Sequence, residues 1–326
     1  MFEAINRFTS NGAERIIITR KVLDILWVNT GSQCPYQCPQ CHIQSSPTNT
    51  DLLFMDVQDI STYLDQYSLL PCSSGIRTIG FTGGEPFMNP HFLDILHRTL
   101  FHNADFHVLI LTTATQTMTK KWKGLGPLLQ MYGNRITIRV SIDHPTREKH
   151  IDNRRNSKYR GKEPAIWEPM IKGISLLART PCTLGITGLP WIDETAQDLQ
   201  AGYKKLCDKL KIAIPKKEIV IFPDRVKNFD QDGDNDLTPD GVTQGCLDLY
   251  DKTKDDFMCS DSIMLVKPNY ANGKIGFAPC TIIPKNKNYC LFGYTLQKAM
   301  EEPLLLAHKN CVWCLSGGNC GGSCDT

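Results

Sequence analysis

An excess of charge of either sign is missing from this sequence. Lys and Arg total 36 against 34 Asp and Glu over 326 residues, so no global field draws nucleic acid, an anionic membrane or an acidic substrate. Also missing is any apolar run approaching the roughly 20 residues that span a bilayer. The opening MFEAINRFTSNGAERIIITRK lacks the continuous apolar segment of a signal peptide. These absences lead us to expect a cytoplasmic protein with no membrane and no nucleic-acid partner. No repeat and no low-complexity block interrupts the chain, which excludes a solenoid or a linker-like protein. The 41% hydrophobic content suffices for a sizeable core, in one large domain with or without a small appendage.

Cysteine, by contrast, is abundant. Fourteen cysteines in a long chain that lacks secretory features favour metal or cluster ligation over a disulfide framework. Three of them, Cys34, Cys38 and Cys41, fall within eight positions in GSQCPYQCPQCHIQ. Eight more fall within residues 246–324, leaving Cys72, Cys182 and Cys207 as ordinary buried thiols.

From Leu23 to about Arg225 short β-rich runs alternate with longer helical ones. Strands are expected at 22–28, 76–81, 107–112, 136–141, 182–187 and 218–223, with a helix over NPHFLDILHRTLFHN capped by Asn89 and opened by Pro90. Six strand–helix units imply an α/β fold with a parallel sheet, a partial (β/α)6 TIM-like barrel. KNFDQDGDNDLTPDG (227–241) is acidic and turn-rich, a domain junction. Its Asp230, Asp232 and Asp234 imitate a calcium loop, but Asn235 stands where such a loop needs Gly and Gly241 where it needs Glu. Beyond it, SIMLVKPNYANGKIGFAPC contains an Asn272-Gly273 turn between two apolar runs and reads as a hairpin carrying Cys280 back towards Cys259. We therefore divide the chain into a segment 1–20, a core 21–226, a linker 227–241 and a small cysteine-rich extension 242–326. The basic stretch at 204–217 is expected to be an exposed helix face.

The first three cysteines follow the first strand directly, on the barrel face where active sites are built. A structural zinc site and a 4Fe–4S cluster fully held by protein each want four ligands. Three thiolates therefore leave one iron of a cube open to a small molecule, or form a zinc site completed by His42 or a distant residue. The second strand ends in GFTGGEP, where Gly83 and Gly84 permit close backbone approach and Glu85 can accept from an ammonium.

The C-x3-C-x2-C spacing followed by this GGEP resembles the radical S-adenosylmethionine (SAM) superfamily. The resemblance implies a SAM-binding 4Fe–4S cluster on Cys34, Cys38 and Cys41, whose open iron chelates the amino and carboxylate groups of SAM. One electron then yields methionine and a 5′-deoxyadenosyl radical that takes hydrogen from a substrate. It implies cofactor contacts from Gly83, Gly84 and Glu85, from the strand-end hydroxyls of Thr112 and Thr113, and from Ser141 with Arg154 or Arg155. The family's aromatic residue before the third cysteine is here Gln40, a departure that weakens the adenine contact.

CVWCLSGGNCGGSC (311–324), spaced C-x2-C-x5-C-x3-C, resembles the SPASM extension of that superfamily, which carries auxiliary 4Fe–4S clusters. The family pattern places Cys259, Cys280 and Cys324 with Cys246 on one cluster. It places Cys311, Cys314 and Cys320 on a second, whose last ligand would be Cys290, Asp325 or substrate; zinc is the competing occupant. One or two auxiliary clusters, a flavodoxin- or ferredoxin-like reductant and a peptide or small-molecule substrate follow. The expected activity is peptide or protein modification; the alternatives are an aminosugar-type dehydrogenase or epimerase and a non-catalytic electron-transfer protein. About twenty residues precede the first strand, too few for a leader-binding domain, so a maturase would use a shorter surface or a separate leader-binding partner.

Overall fold

The computed structural model describes residues 5–39, 41, 43–154, 166–189, 194–222 and 240–315. Gln40, His42, Arg155, most of the 227–241 junction, Cys320, Cys324 and Asp325 lie outside the described residues. The strands in chain order are β1 (Ile17–Ile18), β2 (Ile25–Asn29), β3 (Arg77–Thr82), β4 (Phe106–Thr112), β5 (Ile136–Ser141), β6 (Thr183–Gly188), β7 (Ile219–Ile221), β8 (Ser262–Val266), β9 (Gly276–Ala278), β10 (Leu291–Phe292) and β11 (Leu304–Leu305). β2 to β7 are parallel neighbours in sequence order, as strand–helix repeats require. Each of the six expected strands is present within a few residues of its expected bounds.

The sheet is wider than six strands. β8 pairs in parallel with β2, Trp27 opposite Met264, and β9 and β10 follow as antiparallel neighbours. The order is β10-β9-β8-β2-β3-β4-β5-β6-β7, an open, partial barrel with β10 and β7 at its edges. The β8–β9 hairpin is the one Asn272-Gly273 announced, and both residues take positive φ, 53° and 72°. Its connection is longer than a two-residue turn, because a 3-10 turn over Asn269–Ala271 precedes it. A separate two-stranded ribbon pairs β1 with β11.

Strand alternation divides the apolar residues between two faces. Leu26, Val28, Ile79, Phe81, Val108 and Ile110 face the helices and pack with Ile60, Leu64, Phe92, Ile95, Met170 and Ile174. Ile25, Trp27, Leu109, Met264 and Val266 face the other way. At about 1.5–3 kcal/mol per buried large apolar side chain, the helix-covered face dominates the stability. The first covering helix, Val57–Leu69, starts with a capping box of Asp56 and Asp59.

The second covering helix differs from expectation. It runs Phe92–His102 with His91 at its N-cap, while Asn89 ends a short 3-10 turn over Pro86–Met88. Asn89 is fully buried and donates to Thr30 O at 2.9 Å and Met55 O at 2.8 Å. Its Oδ1 accepts from His91 N at 2.8 Å, the capping bond expected of it, so this buried side chain opens the turn before the helix and its amide end also stitches two loops together. Among the described residues no helix is long and apolar enough to cross a membrane.

Candidate active site and cysteine centres

The loop carrying Cys34, Cys38 and Cys41 leaves β2 and is held against the end of β3 by backbone. Gly84 N–H donates to Gly31 O at 2.8 Å and Glu85 N–H to Gln33 O at 2.9 Å. This explains the double glycine. Gly83 has φ 146°, and a Cβ there would stand 2.5 Å from Gly31 O; a Cβ on Gly84 would stand 2.2 Å from Gln33 O. The close backbone approach expected of Gly83 and Gly84 is therefore made to the cysteine loop itself.

Glu85 is 1% exposed. Its Oε1 accepts from Thr112 Oγ1 at 2.7 Å and Phe87 N at 3.2 Å, and its Oε2 from Thr113 N at 2.8 Å and Thr113 Oγ1 at 2.6 Å. Burial raises its pKa, and these four donors pull it partly back. The threonines at the β4 end thus hold the carboxylate of the β3 end. Thr113 Oγ1 also lies 3.1 Å from Thr115 Oγ1, and Thr115 bonds the Tyr36 phenol between Cys34 and Cys38.

Arg154 ends the helix Arg147–Arg154 and is 6% exposed. Its Nη2 donates to Asp143 Oδ1 at 2.7 Å and to the Ser141 carbonyl at 3.0 Å, while its Nε is buried with no partner among the described residues. Burial opposes its charge, but Asp143, then Cys38 and Cys34, raise its pKa. His150, one turn earlier, accepts from Asp143 N at 3.1 Å; burial, reinforced by Arg154, holds its pKa down to about 3, so it is neutral. Burial pushes Cys34 well above its ordinary value, with Glu85 adding, and pushes Cys38 up to about 12 against the pull of Arg154. Ligation of these thiols must displace protons.

The fold thus brings Cys34, Cys38, Glu85, Thr113, Ser141 and Arg154 into one site at the carboxyl ends of β2 to β5, with Cys41 N–H on Cys38 O at 3.1 Å. Two members escaped the sequence analysis. Tyr36 packs with Cys34 and Ile166, and its position between two cysteines was the available signal. Asp143 stands two residues past Ser141, so alternation turns it to the same side as the strand-end hydroxyl.

A second cysteine group forms at the base of the β8–β9 hairpin. Cys259, Cys280, Cys311 and Cys314, 6–9% exposed, share one apolar cluster with Ile16, Phe257, Ile282 and Leu306. Burial raises the Cys259 and Cys311 thiols, and proximity of the others adds to it, Cys280 and Cys314 for Cys259 and Cys259, Cys280 and Cys314 for Cys311. The family pattern divides these four between two clusters; the hairpin and the helix Lys309–Leu315 bring them together. Cys246 is half-buried beside the same cluster. Cys290 sits apart, packed with Trp27, Leu52 and Met264 and pushed up to about 11 by burial. None of the twelve described cysteines is in a disulfide. Among the described residues no group of three or more His, Cys, Asp or Glu closes on a single-ion site.

A mainly parallel, open sheet of this topology with a three-cysteine loop at its carboxyl edge is a partial α/β barrel. The model of the Radical SAM superfamily matches residues 28–201, more than half of the chain, and the protein belongs to that superfamily. Membership implies an enzyme that uses a 4Fe–4S cluster and SAM. Three buried or half-buried thiols beside a buried arginine with an unpartnered Nε suit that group.

Among curated proteins the chain is similar to the GTP 3',8-cyclase of Microcystis aeruginosa (strain NIES-843 / IAM M-2473), 27% identical over 188 residues, covering 55% of this chain and 52% of the relative. The chain thus spans about half the length of the curated relative it matches. Among solved structures it is similar to Streptococcus suis SuiB bound to S-adenosylmethionine, with TM-score 0.53 and 13% identity over 86% of this chain and 64% of that one. It is also similar to SuiB bound to the precursor peptide SuiA, with TM-score 0.58 and 14% identity over 87% of this chain and 66% of that one. These two likenesses concern the fold.

Proposed function

We propose that this enzyme opens SAM reductively and uses it to modify a peptide or protein, with Cys34, Cys38 and Cys41 as the ligands of the SAM-binding cluster. The carrying observation is the convergence of that loop with Glu85 and Arg154 at one edge of the sheet. When bound, the cluster supplies the electron and an open iron site for the cofactor's amino and carboxylate groups. The chain's own residues do the rest. Arg154 would hold the cofactor carboxylate through its Nε–H, which has no partner among the described residues, while Asp143 holds Nη2 of the guanidinium. Thr113 can exchange its hydroxyl bond to Glu85 for one to the cofactor, freeing a carboxylate lone pair for the ammonium. Ser141 offers a hydroxyl from the adjoining strand end. Burial of Glu85 and Arg154 keeps competing water away from both charges.

An auxiliary 4Fe–4S cluster on Cys259, Cys280, Cys311 and Cys314 belongs to the same reading, in a SPASM-like extension over 242–326 that follows a core over 21–226. Cys246, Cys320 and Cys324 remain for a second auxiliary cluster. Four buried thiols give a closed site, suited to storing an electron. Reduced cysteines of this kind suit the cytoplasm and a flavodoxin- or ferredoxin-like reductant.

Peptide modification is supported by the likeness to SuiB over 87% of the chain, which extends past the family match into the cysteine-rich region. The 27% identity with a GTP cyclase favours a second reading, a small-molecule substrate. Anaerobic reduction with SAM tests the common part: 5′-deoxyadenosine must form, and its absence with intact clusters would leave an electron-transfer protein. Deuterium transfer from labelled peptides or labelled small molecules into 5′-deoxyadenosine then separates the two substrate classes.

A further inference from the structure

Arg20 is 5% exposed. Its Nε donates to Ser262 O at 3.0 Å, and among the described residues no carboxylate forms an ion pair with it. A buried guanidinium held by no direct ion pair is unfavourable, and Asp261, near enough to act on it, makes none among the described residues. Its position suggests what the counter-charge is. Arg20 follows β1, whose partner β11 leads into the helix that carries Cys311 and Cys314. The carbonyl it binds belongs to Ser262, the first residue of β8, whose Oγ donates to Met258 O next to Cys259. Arg20 is therefore tied to both halves of the second cysteine group. Burial lowers its pKa, and the charges opposing this are first Cys259, then Cys280, then Asp261.

Held as thiolate ligands, these cysteines would form an anion. A cube held by four thiolates is negative in both oxidation states and gains one more negative charge with each electron. A fixed cation beside it therefore favours the reduced form.

We propose that Arg20 is the buried counter-ion of the cluster held by Cys259, Cys280, Cys311 and Cys314, and that it raises the reduction potential of that cluster. The inference rests on the auxiliary-cluster reading above. The test uses the full chain, reconstituted anaerobically, as wild type, Arg20→Gln, Arg20→Lys and Cys314→Ala. Iron and sulfide are counted, and reduction by dithionite is followed by electron paramagnetic resonance, with the signal lost in Cys314→Ala defining the auxiliary cluster.

In Arg20→Gln the reduced-to-oxidised ratio of that signal at a fixed potential should fall about tenfold, a midpoint about 59 mV more negative for one electron. Arg20→Lys should stay near wild type. An unchanged midpoint in Arg20→Gln at full iron content overturns the inference. If Arg20→Gln instead loses auxiliary iron, Arg20→Lys decides. Retained iron and midpoint in the lysine variant uphold the role of charge; loss there too overturns it in favour of the bond to Ser262. Wild-type protein with about four iron per chain, unchanged in Cys314→Ala, would fail the auxiliary-cluster reading itself, a result read from iron and not from potential.

Discussion

The two cysteine groups differ in how they are assembled and how they are closed. Cys34, Cys38 and Cys41 occupy one loop of eight positions, with Cys34 buried and the other two half-buried. Cys259, Cys280, Cys311 and Cys314 come from a 3-10 turn, a hairpin end and a helix, and all four are buried in an apolar cluster. The first group faces Glu85 and Arg154, groups suited to a polar ligand. The second faces apolar side chains and one arginine. An open three-thiol loop suits exchange of a bound molecule, and an enclosed four-thiol set suits a cluster that changes charge and not ligands.

The largest break in that comparison should come from Cys38→Ala. Two thiols cannot hold a site-differentiated cube, so 5′-deoxyadenosine formation should fall below detection; normal turnover with normal iron would refute the open-site assignment. Cys314→Ala should act on the other group alone, removing about four iron per chain while leaving uncoupled SAM cleavage partly intact. Cys290→Ala sharpens the contrast. Its thiol lies among Trp27, Leu52 and Met264, so iron should be unchanged and urea unfolding should show a loss of about 1 kcal/mol.

Arg154→Ala should weaken SAM binding by about 30-fold, the equivalent of about 2 kcal/mol for a lost charged partner. An unaltered dissociation constant, measured by equilibrium binding to the oxidised holoprotein, would move that role to Arg155. A loss of stability without loss of ligands is expected in Gly84→Ala. A Cβ there would stand 2.2 Å from Gln33 O, and overpacking of this kind costs about 1–3 kcal/mol. The loss should appear in unfolding of the iron-free chain, and a stability equal to wild type would show that the loop yields without cost.

Much of the core was legible because its signals are local. Alternating apolar runs marked the strands, Asn272-Gly273 marked the hairpin, and the cysteine spacing marked the open site. Less legible were the features that depend on distant partners. Asn89 makes the capping bond its type announces, from His91 N to its Oδ1, but its amide also answers Thr30 and Met55, whose carbonyls arrive from elsewhere in the chain. Tyr36 and Asp143 are unremarkable by type. They matter because the ends of neighbouring strands place Thr115 and Arg154 against them.

The sequence by itself determined the order of strands and helices, the three-thiol loop after β2 and the carboxylate after β3, since each is set by residues a few positions apart. Only the tertiary structure decided that β8 joins the sheet beside β2, that Cys259, Cys280, Cys311 and Cys314 form one group, and that Arg20 is enclosed with them. Those outcomes depend on pairing and burial between segments far apart in the chain, where periodicity names a strand or a buried face but not the partner that covers it.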